Sequence, residues 1–236
     1  MSLSKTFLLA GAAALVSSAA FAAHSYPTRA SDVQGFTGVK APAQHSFDAG
    51  HKGLCGTSFG PPPTTPNGII AWNDTSGTTY NVAGGADFIC KTKTKIKEVE
   101  VYGYDAPNNP ELYNVTIYNN DPTYGQGHAN DASIVCNYAS VSGAGGGSYP
   151  TAVLTELHLK PACNIKKKGQ YWVSVQDYDA TGPWYWEVQS TLGGKAPADW
   201  RDVNNIFGSG CTVFDNNEYL SNCLGYTYPD YMLLLK

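Results

Sequence analysis

From residue 68 onward the chain alternates short apolar or period-two segments with clusters of turn-forming residues, and no stretch of ten residues sustains helical spacing. Strands are predicted at Ile69–Trp72, Thr79–Val82, Lys95–Tyr104, Leu112–Asn119, Ser133–Tyr138, Ala152–Leu159, Gln170–Asp177, Trp184–Ser190 and Tyr231–Leu235. Between them lie Ala106-Pro-Asn-Asn-Pro110, Asn119-Asn-Asp-Pro122, Ser142-Gly-Ala-Gly-Gly-Gly-Ser148, Lys166-Lys-Lys-Gly169 and Ala180-Thr-Gly-Pro183, all rich in residues that favour tight turns. This is the pattern of an all-β protein, a two-sheet antiparallel sandwich of jelly-roll or Greek-key type.

Alternation also assigns faces. In Gln170–Asp177, Tyr171, Val173 and Val175 share one side and read as core, with Trp172, Ser174 and Gln176 on the other. In Trp184–Ser190, Trp184, Trp186 and Val188 alternate with Tyr185, Glu187 and Gln189. The latter face is half polar and is expected to meet water or a ligand.

Composition narrows the class. Among 236 residues only 14% are charged, where about 25% is usual. The 42% apolar and 12% aromatic content excludes simple disorder, and 19 acids against 15 bases speak against a nucleic-acid binder. At the N-terminus, Lys5, the apolar run Phe7–Val16 and Ala20-Phe-Ala22 have the layout of a cleavable secretory signal, too short for the roughly 20 apolar residues of a spanning helix. The expected organisation is a signal peptide at 1–22, a leader at 23–52 and a sandwich domain at 53–236, secreted, with periplasm or cell surface as alternatives and no transmembrane segment after cleavage. Gly60-Pro-Pro-Pro-Thr-Thr-Pro66, short of amide donors, is expected to cross between edges or sheets.

Export makes the cysteines interpretable. Six, with no Cys-x-x-Cys pair, read as three disulfides, and proximity along a meander favours Cys55–Cys90, Cys136–Cys163 and Cys211–Cys223.

The candidate chemistry is mostly aromatic, since 5 Trp and 16 Tyr exceed what a modest core needs. Trp172, Gln176, Tyr185, Glu187, Gln189 and Trp200 are the expected ligand-binding set, because sugars pack on aromatic faces while amides and carboxylates fix their hydroxyls. The alternative is that tyrosine and tryptophan, strong strand formers, simply fill the sandwich. A glycosidase would need two carboxylates, about 5–5.5 Å apart if retaining; Glu187 is the acid candidate, with Glu98, Glu100 or Glu156 as partner. No Gly-x-Ser-x-Gly occurs, and the five histidines are scattered. No cofactor is expected. Calcium is the one ion entertained, near Asp177 and Asp179 or in the loops around Asp105 and Asp121, although such residues commonly serve turns. Lys91, Lys93, Lys95 and Lys97 alternate, either protecting an edge strand or facing a polyanion such as an acidic polysaccharide.

From about Ile96 to the C-terminus the chain resembles a group of mostly uncharacterised secreted bacterial β-sandwich proteins with a jelly-roll, lectin-like module. The resemblance rests on Asn114-Val-Thr-Ile-Tyr-Asn119, Gly169-Gln-Tyr-Trp-Val-Ser-Val175, Trp184-Tyr-Trp186, Trp200-Arg201 and Pro229-Asp230. Their usual Gly-x-Pro-Gly turn is here Tyr124-Gly-Gln-Gly127. The resemblance implies the sandwich and no particular activity. The expected function is non-catalytic binding of an extracellular ligand, carbohydrate or cell-surface glycan. The alternatives are a self-associating surface or matrix protein and, further off, a small glycoside hydrolase.

Overall fold

A computed structural model describes residues 28, 52–63, 67–76, 80–105, 112–123, 125–143, 147, 151–178, 180, 182–214 and 219–236. The signal peptide lies outside these residues, as does the leader apart from Thr28 and Lys52.

Among the described residues twelve strands form two six-stranded sheets. The first centres on β4 (Thr94–Asp105), which pairs with β7 (Val153–Ile165) along one side. On its other side β4 meets β12 (Leu233–Leu235) and then β9 (Trp184–Gln189). β9 in turn carries β1 (Gly68–Ile70) and β11 (Asp230–Tyr231). The second sheet runs β10 (Asp199–Asp202), β3 (Asn81–Cys90), β8 (Gly169–Asp177), β5 (Leu112–Asp121), β6 (His128–Ser142), with the two-residue β2 (Trp72–Asn73) joining β3 to β8. The pairings are antiparallel except for the single β2–β8 bridge at Trp72 and Asp177.

Between the sheets the predicted inward residues meet. Val99 and Val101 of β4, Val173 and Val175 of β8, and Trp184, Trp186 and Val188 of β9 belong to one buried cluster. Trp186 stacks on Tyr231 with ring centroids 4.5 Å apart, and Trp184 meets the Tyr113 ring edge-on at 5.4 Å. Gly103 lies directly beneath Trp184: a Cβ there would overlap the indole ring, so the site admits no side chain.

A second, smaller cluster closes over the outer face of the second sheet. Trp172 packs there with Ala83, Tyr118, Ala129, Ala196 and Phe214. β3 is longer than Thr79–Val82 suggests because Gly84 and Gly85, which interrupt its pattern, lie against Tyr231 and Trp172. β10, too short to show a period, was not expected.

The three disulfides join the expected partners. Cys55–Cys90 ties the turn at Leu54–Gly56 to the end of β3. Cys136–Cys163 links β6 to β7, and therefore one sheet to the other. Cys211–Cys223 fastens the loop after β10 to the short helix α1 (Leu220–Leu224). Among the described residues, no helix is long and apolar enough to cross a membrane.

Candidate functional site

The aromatic set expected to bind a ligand is buried, which corrects its placement on a solvent face. Trp172, Tyr185, Glu187 and Trp200 have no exposed surface, and Gln176 and Gln189 are buried too. Alternation identified the two faces correctly, but both are covered. Trp172 is enclosed by the second cluster and its Nε1 donates to Asn120 Oδ1 at 2.8 Å. Gln176 Nε2 donates to Asn81 Oδ1 and to the Val82 carbonyl, both at 2.9 Å. Trp200 lies in the main core and donates to the Ile70 carbonyl at 3.3 Å.

The outer side of β9 is covered by the proline-rich crossing. Its strand edge takes hydrogen bonds with that segment, Val188 N–H to the Asn67 carbonyl and Ser190 N–H to the Pro61 carbonyl. Its side chains receive two more. Gly60 N–H donates to Gln189 Oε1 at 2.8 Å and Asn67 N–H to Glu187 Oε1 at 3.3 Å, while Phe59 packs edge-on against Tyr102 at 4.9 Å. Glu187 and Gln189 thus receive the crossing chain. Burial pushes the Glu187 carboxyl well above the ordinary carboxylate range.

A second group of buried acids does similar structural work over the other sheet. Asp199 shares a hydrogen bond with His128 Nδ1 and accepts one from Ala129 N–H, both at 2.9 Å, joining the start of β6 to β10. Burial raises the Asp199 carboxyl to about 7, against the opposing effect of His128. Asp87 accepts from the Lys195 and Ala196 amides and from Gln170 Nε2; Asp230 accepts from Gly193 N–H. These carboxylates hold the loop between β9 and β10 by its backbone.

The three glutamates considered as partners of Glu187 instead gather with one another. Oxygens of Glu98, Glu100 and Glu156 lie within 4.8 Å of each other. Lys236 pairs with Glu98 at 3.2 Å and with Glu100, so an ammonium already answers the cluster, and His158 Nδ1 contacts Glu98 at 2.9 Å. Of the acids considered for calcium, Asp177 is wholly buried at the end of β8 and Asp179 lies outside the described residues. Asp121 Oδ1 accepts from both Thr123 N–H and its hydroxyl, a turn-stabilising role.

The open concavity lies elsewhere, along the seam where β6, an edge of one sheet, faces β7, an edge of the other. It is a groove of about 880 Å³ running along residues 135–142 of β6 and 158–164 of β7, with Lys166 just beyond the end of β7. Cys136–Cys163 crosses it with Cα atoms 5.9 Å apart, and Tyr138 Oη donates to the Pro161 carbonyl at 2.7 Å. Asn137, Asn164, Ser140, Ser142 and Lys160 put amide, hydroxyl and ammonium groups on its walls. Among the described residues, the lining carries no carboxylate.

Comparison with models of known protein families, with curated proteins and with solved structures finds no match. The functional reading therefore rests on this geometry.

The groove was missed because its two walls come from strands of different sheets, with the cysteines that bridge them 27 residues apart in sequence. One indication was present: a Cys136–Cys163 bridge already makes Asn137 and Tyr138 neighbours of Ala162 and Asn164.

Proposed function

We propose that the chain is an exported, non-catalytic β-sandwich that binds extracellular carbohydrate in the seam between β6 and β7. The observation that carries the reading is the groove itself, long and open, with amides, hydroxyls and Tyr138 along a disulfide-braced floor. A saccharide chain presents hydroxyls at every residue, and a wall of amide and hydroxyl groups can both donate to and accept from them. The three disulfides fit an oxidising compartment outside the cytoplasm. Acid–base cleavage of a glycosidic bond finds no pair of carboxylates among the described residues of the lining, which favours binding over hydrolysis.

Two features of the seam disfavour a β-strand from another chain, and with it edge-to-edge self-association. Pro161 lacks an amide hydrogen in the middle of β7. Ser140 in β6 has φ of 56°, outside the extended region, so the facing edge is irregular as well.

The test is binding to a panel of immobilised polysaccharides, compared for the wild type, Tyr138→Ala, Asn164→Ala and a distant Ser221→Ala control. The seam variants are expected to weaken binding by about ten-fold or more, the loss of one or two hydrogen bonds, while unfolding midpoints confirm that they remain folded. Saccharide binding indifferent to both seam changes overturns the assignment.

A further inference from the structure

Resting on the reading of the seam as a saccharide groove, we infer that its ligand is an acidic polysaccharide, a glycan bearing carboxylate or sulfate groups, held by a lysine-lined surface that the fold assembles from three chain segments. Two further hollows open beside the seam, of about 310 Å³ against Asn119 and Tyr171 and of about 400 Å³ against Thr94. Asn164 and Lys166 line all three, which makes them one continuous surface.

Lys93 and Lys95 come from the β3–β4 turn and the start of β4, Lys160 from β7, and Lys166 and Lys167 from the β7–β8 turn. Among the described residues, no acidic residue lines any of the three hollows. Among the described residues none of these five lysines takes part in an ion pair. They are a third of the 15 basic residues of a chain whose net charge is −4, so positive potential is concentrated at one place on an acidic molecule.

Edge protection does not account for the arrangement. It suits Lys160, on the free edge of β7 beside Pro161, and Lys95, at the end of β4 where the register pairs it with β7, but Lys93, Lys166 and Lys167 stand in turns. A second copy docked seam to seam would set the same lysines against each other, and like charges across an interface oppose association. A polymer that spreads negative charge along an extended, hydroxyl-rich chain complements both the ammonium groups and the amide walls. Lysine also suits it chemically: its ammonium is a mobile point charge with three donors, able to follow carboxylates or sulfates at varied orientations.

The test uses the full-length protein and measures affinity for alginate, for heparin fragments and for neutral dextran, together with single-stranded DNA and phosphatidylserine vesicles. Alginate or heparin is expected to bind at least about ten-fold more tightly than dextran, and to lose about ten-fold between 50 and 300 mM salt. Lys160→Glu and Lys166→Glu, each made singly, are expected to lose several-fold for the acidic glycans and at least about ten-fold when combined, whereas Lys195→Glu, the same change as either single variant but away from the surface, has little effect. Circular dichroism checks that these exposed substitutions leave the fold intact. Dextran binding that equals alginate binding, resists salt and still depends on Tyr138 overturns the charge inference while leaving the groove reading standing. No binding to any saccharide overturns both. Binding to DNA or to the vesicles as tight as to the glycans overturns the assignment to acidic polysaccharide.

Discussion

Trp172→Ala separates packing from recognition at the residue that looked most like a sugar platform. The indole is completely buried, and a tryptophan covers about 150–250 Å², so at about 25 cal/mol per Å² its removal forfeits about 4–6 kcal/mol. That is an upper bound, because unfolded chains retain some burial, and tryptophan-to-alanine changes in cores typically cost about 3–5 kcal/mol. The lost hydrogen bond to Asn120 also leaves an acceptor without its donor. A destabilisation of about 4 kcal/mol is expected, much of the 5–15 kcal/mol that usually holds a domain together. Trp172→Phe keeps a ring in the second cluster and loses the indole donor, for about 1–2 kcal/mol. Urea titration followed by circular dichroism measures both, and saccharide affinity is compared under conditions where the variants are still folded. The expected result is a lower midpoint with unchanged affinity. A midpoint altered by less than about 0.5 kcal/mol together with abolished binding would refute the burial argument and restore Trp172 to the site.

Further outcomes follow from the buried groups and the cross-links. Asp199 holds its proton up to about pH 7 when folded but releases it near 4 when unfolded, so its contribution is complete below pH 4 and is lost as pH rises through 7. A shift from 3.8 to about 7 corresponds to about 4 kcal/mol, and burial moves Asp87, Asp230 and Glu187 the same way. The urea midpoint should therefore be higher at pH 5 than at pH 8, less so in Asp199→Asn; a midpoint higher at pH 8 contradicts this. Gly103→Ala places a methyl group in the Trp184 ring and should destabilise by about 3 kcal/mol or more, whereas wild-type stability would show that the indole has room to move. Removing the Cys136–Cys163 bridge, which closes a separation of 27 residues, should cost about 3–4 kcal/mol by denaturant titration and leave the other two bridges intact by mass mapping. A loss below about 1 kcal/mol would mean that β6 and β7 are joined well enough without it.

The architecture was legible because it depends on local rules. Period-two segments and turn clusters located most strands, the alternation in β8 and β9 separated inner from outer side chains, and chain proximity paired the cysteines. Alternation states which residues share a face but not what covers that face. Tyr185, Glu187 and Gln189 look half exposed until Gly60, Pro61 and Asn67 are set against their strand. Trp172 looks exposed until the chain around Ala129 and Phe214 closes over it. The seam is the converse case. Lys93 and Lys95 stand out in sequence as part of an alternating lysine run, but nothing there joins them to Lys160 and Lys167; they become one surface only because β4 and β7 pair with Lys95 opposite Asn164.

Hydrogen–deuterium exchange of the full-length protein, with and without alginate oligomers, reads directly whether saccharide is held in the seam. Slowed exchange confined to residues 135–142 and 158–166 and the adjoining lysine turns is the expected result. Protection centred on residues 170–176 and 184–189 instead, with the seam unchanged, would contradict the account.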